Sequence, residues 1–419
     1  MSQSASSEAM RLEVSRQAPE EAVHNLIEHA AKLMVSDLFF NTNENGVGVE
    51  ARHLGILRHI SDLAGETGRR CISHIKAVSG MNVAEKRRPM DGRWIFDRPS
   101  GHRLDLRINS IPTLYGEDMT LRILDRDNRL LSIDDLGFRR RDYNHFVRLL
   151  NSPSGLVLVT GLAGSGKTTT LYAGLTYLNN GERKINTIED PVEYAIDGIR
   201  QSQINPKLEL GFAELLRNIL RQAPDVIMVG EIRDPETAET AVRAANSGHL
   251  VLATLHAPIA AGAIQSMLRM GVHPHFLSSS LLGVVAQRLM RTLCPKCKTA
   301  FDVSYAEHTF DEVKQWLEPG QGQSLFGPKG CTECHMTGYA GRTGVFEVLT
   351  ITSELRKLIE EKQPTQAIRR RAIEEGLIEF RHSAMLNVAR GETSVEEVIR
   401  VVPAEYLSLN EEEVAAQTA

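Results

Sequence analysis

The stretch Gly161-Leu-Ala-Gly-Ser-Gly-Lys-Thr168 constrains this chain more than any other. It satisfies G-x-x-x-x-G-K-[ST], and its setting gives it weight. Before it, Leu156–Thr160 is a continuous apolar run of the kind that fills a strand buried on both faces. After it, a helix is expected from about Thr168. In that setting glycines let backbone N–H groups wrap phosphate oxygens, and the helix N-terminus adds a favourable dipole. The lysine supplies a point charge, and the Thr168 hydroxyl supplies a ligand for Mg²⁺. Gly161, Gly164, Ser165, Gly166, Lys167, Thr168 and Thr169 are therefore the candidate nucleotide-binding residues.

The remainder of the chain must accommodate that loop. Its 419 residues suggest two to four domains. With 42% hydrophobic and 24% charged residues it has ordinary globular composition, which excludes a wholly disordered or fibrous chain. A net charge of −5 argues against a basic nucleic-acid coat, and 5% aromatics against base-stacking platforms. Met1–Glu20 lacks the apolar core of a signal peptide. Residues 244–268 carry no Asp, Glu, Lys or Arg. They are interrupted by Asn246, His249, His256, Pro258 and Gln265, however, and read as strand, loop and helix rather than a membrane span.

Periodicity divides the chain. Residues 1–22 show none and are expected to be disordered. Residues 23–125 begin with a helical pattern over 23–35, continue through alternating stretches and a helix over 68–80, and read as a small α+β domain. The Arg- and Asp-rich segment 126–140 reads as a linker. Residues 141–290 alternate strands, at 156–160, 184–188, 225–229 and 250–254, with helices, which predicts a parallel α/β sheet. Residues 291–345 hold four cysteines, 346–404 read as helical, and 405–419 as an acidic tail.

Further candidates fall in the α/β region. Asp225-Val-Ile-Met-Val-Gly-Glu231 is an apolar strand ending at an acid, the arrangement that delivers a carboxylate to Mg²⁺ or water. Thr187-Ile-Glu189-Asp190-Pro-Val-Glu193 places three acids in five residues after a strand, suited to water activation or metal assistance. His249 and His256 flank the strand 250–254, and admit either a structural or a γ-phosphate-sensing role. Cys294-Pro-Lys-Cys297 and Cys331-Thr-Glu-Cys334 supply four thiols, enough for a closed tetrahedral zinc site, with 33 residues between the pairs for a folded insertion. The alternative, a redox pair, lacks the thioredoxin βαβ setting. Cys71 is left over and is expected to be buried in a helix.

With these residues in view, the chain resembles the secretion ATPase superfamily, in particular type II secretion and type IV pilus assembly ATPases, from about residue 30 to 404. Gly161–Thr168 looks like its Walker A, Thr187–Tyr194 its Asp box, Val229–Asp234 its Walker B and Gly248–His256 its His box. Gln287–Cys294 and Gly341–Glu347 flank the cysteines as in the assembly ATPases. The resemblance implies a RecA-like P-loop domain with a PAS-like N-terminal domain, a zinc-binding subdomain and a helical C-terminal region. It implies Glu193 as general base, Glu189 supporting metal and water, Glu231 as the Walker B acid, and His249 and His256 near the γ-phosphate. It carries phosphate-contacting roles onto Arg107 and Arg122 of the N-terminal domain.

ATP, Mg²⁺ and Zn²⁺ are the implied cofactors. A homo-hexamer is implied, cytoplasmic and peripheral to the inner membrane. Its implied partner is a polytopic platform protein; contact with the membrane is indirect and no nucleic acid is involved. Leu162-Ala163 stand where the family has Pro-Thr, within the variable part of the loop. Phe39-Phe40 follow Ser36-Asp-Leu where the family carries a histidine. Only about 20 residues precede the PAS-like region, so recruitment to the membrane is expected to differ from relatives with an extra N-terminal domain. Retraction ATPases lack the four cysteines, which favours the assembly or secretion branch. A low-turnover nucleotide-gated scaffold and a retraction or conjugation motor are the rival readings.

Overall fold

The computed structural model describes residues 8–125, 130–302 and 309–403. These divide into two compact units. One falls within Met1–Arg129, Leu293–Thr299 and Pro328–Gly341, the other within Leu130–Thr292, Ala300–Gly327 and Arg342–Ala419.

The first unit is built on a six-stranded sheet. Its strands are β1 (Asp37–Thr42), β2 (Gly46–His53), β3 (Ile56–Ala64), β4 (Met90–Asp97), β5 (Arg103–Thr113) and β6 (Gly116–Asp125), in the order β3-β2-β1-β6-β5-β4. Every neighbouring pair is antiparallel. Alternation therefore decides which residues are buried. Leu38, Phe40, Val47, Val49, Leu106, Ile108 and Leu121 point into a core closed by the helices Pro19–Lys32 and Gly65–Val78, through Val23, Leu26, Ile27, Ile72 and Ile75. Cys71 is fully buried there, and burial pushes its thiol up to about 11. Met10 and Val14, in the segment expected to be disordered, are buried in the same core. Two apolar residues four apart among charges make no periodic run, so their packing is invisible until the sheet exists. Residues 1–7 lie outside the described residues.

The second unit has a seven-stranded sheet, β15-β12-β7-β11-β10-β8-β9. Its strands are β7 (Gly155–Thr160), β8 (Ile185–Glu189), β9 (Arg200–Gln203), β10 (Val226–Val229), β11 (Leu250–Leu255), β12 (Leu281–Leu293) and β15 (Tyr339–Thr350). The six strands from β12 to β9 are parallel. Alternate residues of β7 feed different cores: Leu156 and Leu158 join one, Val157 and Val159 the other. Burial on both faces is what makes the run continuously apolar. Where a linker is expected, Ile133 and Leu136 are buried in the second core and close a short 3₁₀ turn at Gly137; residues 126–129 lie outside the described residues.

The expected borders at 290 and 345 cut through β12 and β15, whose Gln, Arg and Thr residues break the apolar signal of a buried strand. The cysteine segment is also not one body. Its knuckles join the first unit, and its insertion joins the second. In that insertion β13 (Thr299–Asp302) pairs with β14 (Ser324–Gly327), and Phe310 and Val313 pack with the C-terminal helices. Four helices, Ser353–Glu360, Thr365–Glu374, Phe380–Ala389 and Val395–Val401, complete the described chain, and 404–419, including the tail, lie outside it. Among the described residues no helix is long and apolar enough to cross a membrane.

Candidate functional site

The loop Gly161–Gly166 leaves β7 at the carboxyl edge of the parallel sheet and enters the helix Lys167–Leu178. This edge is where parallel α/β sheets collect ligands. Gly161 has φ +152, and a Cβ there would meet Gln287 O and Ser165 Oγ, each at 2.5 Å, so only glycine fits. Gly166 caps the helix at φ +87. Gln287 on β12, buried, donates from Nε2 to Ser165 O at 2.7 Å and fixes the loop from its other flank. Lys167 Nζ folds over the loop onto Gly161 O (2.9 Å) and Leu162 O (3.1 Å). Burial lowers its pKa, opposed by the charge of Glu231. Thr168 and Thr169 are exposed on the first helical turn, and Ser165 Oγ is buried with no hydrogen-bond partner among the described residues. A ring of backbone amides with an orphaned hydroxyl and a lysine across its mouth fits a nucleotide polyphosphate.

The adjacent strands bring the acids to this edge. Glu231 lies two residues beyond β10. Its Oε2 accepts from Arg233 Nε at 2.7 Å, and its Oε1 lies 2.7 Å from His256 Nε2. Arg233 Nη1 also reaches Asp190 Oδ2 at 3.4 Å. The bond to Glu231 raises the Arg233 pKa, with Asp190 adding to it. Thr254 Oγ1 donates to Gly230 O at 2.6 Å and Thr160 Oγ1 to Ala257 O at 3.0 Å, stitching the ends of β7, β10 and β11 together.

Glu189 ends β8 and is 3% exposed. Its oxygens accept from Thr187 Oγ1 (2.6 Å), Gln201 Nε2 (3.0 Å) and the Tyr172 hydroxyl. Burial, then Glu189, raises the pKa of that hydroxyl, which in turn accepts the backbone N–H of Glu193 at 3.3 Å. Glu189 thus holds the segment that carries Glu193, which is half-buried. This differs from a carboxylate open to metal or water.

The histidines separate. His256 follows the carboxyl end of β11 and meets Glu231. His249 precedes the amino end, with Nδ1 3.0 Å from Ala244 O and its carbonyl accepting from Gly155 N at 3.0 Å. A six-residue strand holds its ends roughly 20 Å apart, so His249 does not join the phosphate loop of its own sheet. Arg107 and Arg122 lie in the first unit, at directly opposed positions on β5 and β6. Arg233, Tyr172 and Gln287 contact Glu231, Glu189 and the phosphate loop, and motif spacing does not single them out. Arg233 had a readable signal, two residues from the strand-ending acid.

The four knuckle cysteines bring their Sγ atoms within 4.8 Å of one another. Cys294–Cys331, Cys297–Cys334 and Cys331–Cys334 are 3.9, 3.8 and 3.7 Å apart. A tetrahedron with metal–sulfur bonds of ~2.3 Å has edges of ~3.8 Å, so the cluster fits a metal ion as it stands. Burial pushes the Cys334 thiol up. N–H groups of Cys331 and Gly338, both at 3.2 Å, with the thiols of Cys331 and Cys297, outweigh that and bring it to about 7. Cys297 is pushed up to about 12, chiefly by burial. His335, next to Cys334, meets the ring of His53 on β2 edge-on at 6.3 Å, which ties the knuckle to the first unit's sheet.

The chain is similar to known proteins over most of its length. A family model described as type II/IV secretion system protein matches residues 13–400. Type II secretion system protein E of Pseudomonas aeruginosa is 43% identical over 379 residues, covering 90% of this chain and 74% of that protein. Type II secretion system ATPase E of Vibrio cholerae is 42% identical, with the same coverage. Type IV pilus assembly ATPase PilB of Acinetobacter baylyi is 42% identical over 90% of this chain and 65% of its own length. Among solved structures, Legionella pneumophila ATPase DotB has a TM-score of 0.69 at 22% identity, covering 93% of this chain and 97% of its own. The pilus retraction motor PilT with bound ADP has a TM-score of 0.60 at 23% identity, covering 94% and 98%. At these identities the last two likenesses concern the fold. The match runs through both units and the identity to named relatives exceeds 40%: the chain belongs to the type II/IV secretion system protein family.

Proposed function

We propose that this chain is an ATP-hydrolysing motor of the type II secretion or type IV pilus assembly kind. In this reading it cycles as a homo-hexamer on the cytoplasmic side of the inner membrane and drives a polytopic membrane protein of the machine. One observation carries the reading: the glycine-shaped loop with Lys167 across its mouth shares the sheet edge with Glu231, in a chain more than 40% identical to named secretion and pilus ATPases.

ATP with Mg²⁺ supplies the transferable phosphoryl group and the metal charge when bound. The chain's residues then have separable tasks. The loop amides bind phosphate oxygens, and Lys167 exchanges its two carbonyl contacts for them. Thr168 offers the hydroxyl ligand for the metal. Glu231, oriented by Arg233 and His256, serves the metal side of the site. Glu193 takes the proton of the attacking water, and Glu189 with Tyr172 holds its backbone in place. Arg107 and Arg122 counter the charge that develops on the phosphates, the task for which a guanidinium fork is suited. Cys294, Cys297, Cys331 and Cys334 hold zinc in a closed, structural site.

The test is Mg-ATP hydrolysis per protomer against protein concentration, for wild type, Lys167→Ala and Arg107→Ala. A rate that climbs with concentration and is lost in both variants is the expected result. A flat wild-type profile indifferent to Arg107 sinks the ring-motor reading and favours a self-contained phosphate site or a scaffold.

A further inference from the structure

One line of residues crosses five strands of the first unit's sheet. Arg93 on β4 opposes Arg107 on β5, Arg107 opposes Arg122 on β6, Arg122 opposes Asp37 on β1, and Asp37 opposes Arg52 on β2. Opposed residues of an antiparallel pair share a face, with Cβ atoms about 4.5–5.5 Å apart, and like charges directly opposite destabilise the sheet. Four arginines and one acid in such a line are a poor choice for folding. The acid, moreover, is the buried member: its side chain is 11% exposed, against 61% for Arg122.

We propose that Asp37 is a positioning residue for Arg122. The inference rests on the reading that Arg122 contacts nucleotide phosphates. Asp37 Oδ1 takes Arg122 Nε at 3.2 Å, the inner nitrogen of the guanidinium. That grip aims the terminal nitrogens, the pair suited to a bidentate phosphate contact, toward the exposed end of the side chain. Asp37 is itself immobilised. Ser36 Oγ donates to its Oδ2 at 2.8 Å, and the backbone of Ser36 bonds to Arg52 O and Ile123 N. Arg52 lies 3.6 Å from Oδ2, its guanidinium over the Phe39 ring. At the far end of the line Asp105 holds Arg93 bidentately, at 2.8 and 2.7 Å. Arg122 thus sits between a fixed anion on one side and a like charge on the other. Both push its fork in the same direction.

The experiment measures steady-state Mg-ATP hydrolysis on the full chain, at concentrations where the rate per protomer has saturated. It compares Arg122→Ala, Arg122→Lys, Asp37→Asn and the Asp37→Asn/Arg122→Ala double variant. Binding of a fluorescent ADP analogue reports that each variant keeps its phosphate loop. Asp37→Asn is expected to lower kcat about ten- to a hundredfold, the scale of a misplaced catalytic group, with KM changed little. The double variant should be no slower than Arg122→Ala. Arg122→Lys, a surface change that does not threaten the fold, should fail nearly as badly as Arg122→Ala, because lysine has no inner nitrogen to grip. A full loss in Arg122→Ala with Asp37→Asn near wild type, with additive losses, or with Arg122→Lys active overturns the role of Asp37. Wild-type kcat in Arg122→Ala instead overturns the phosphate role of Arg122, and the positioning role with it.

Discussion

Glu189 and Glu231 stand at the ends of adjacent strands of one sheet, and their surroundings differ completely. Glu189 is the last residue of β8, and its partners are a tyrosine, a threonine and a glutamine, all uncharged donors. Glu231 is two residues past β10, and its partners are an arginine and a histidine. An uncharged set of partners holds a segment still. A charged one at the sheet's open edge can be re-paired when phosphates and a metal arrive. The two histidines repeat the contrast along β11, with one at each end. Being acidic, or being histidine, next to a buried strand is therefore not enough; the carboxyl edge decides.

The largest effects are expected at the glutamates. Glu231→Gln should lower kcat about 10²–10³-fold, as loss of a preorganised charged group does, with thermal stability nearly unchanged. Glu189→Gln should do the reverse in kind. It leaves a buried donor facing donors, which costs about 1–3 kcal/mol of stability, and slows turnover only through Glu193. Melting curves beside kinetics decide it; a Glu189→Gln variant that melts like wild type but does not turn over restores the direct role implied by the family resemblance. The histidines give the next effect. His256→Ala removes a hydrogen bond to a charged partner, worth about 1.5–3 kcal/mol, so kcat should drop at least tenfold. His249→Ala should stay within about twofold, as for surface changes. Equal losses in the two would mean that His249 acts on a site other than that of its own sheet.

Sequence reasoning reaches some of this and not the rest. The phosphate loop is legible because eight adjacent residues and two flanking elements specify it. Glu231 is legible because an apolar strand announces where it ends. The partners of Glu189 are not, since Tyr172, five residues into a helix, and Gln201, on the edge strand β9, meet it only once three elements have packed. The cysteine spacing gives a tetrahedral site. It does not reveal that the knuckles pack with the first unit while their insertion packs with the second, because packing partners leave no mark on spacing. His249 was within reach: a six-residue parallel strand has two ends, and only one is near the loop.

Glu347 is a third carboxylate of the second unit. It is fully buried on β15. It accepts the N–H of Ala260 at 3.1 Å and of Phe380 at 3.0 Å, each the first residue of a helix. One side chain thus caps two helices, one following the His256 loop and one in the C-terminal region. Burial raises its pKa to about 7, and the two N–H groups oppose that rise only in part. The sign follows from linkage. Between its ordinary value near 4.5 and about 7, the folded chain holds a proton that the unfolded chain has released, so stability falls as pH rises through that window. Glu347→Gln cannot ionise and should flatten that slope. It should also lose about 1–3 kcal/mol throughout, because an amide offers one acceptor where two helices need two. Denaturant midpoints at pH 5 and pH 8 for both proteins measure the effect. An unchanged slope in the variant would place the pH dependence on other groups and leave Glu347 a permanently charged cap, held ionised by the two helix N-termini it joins.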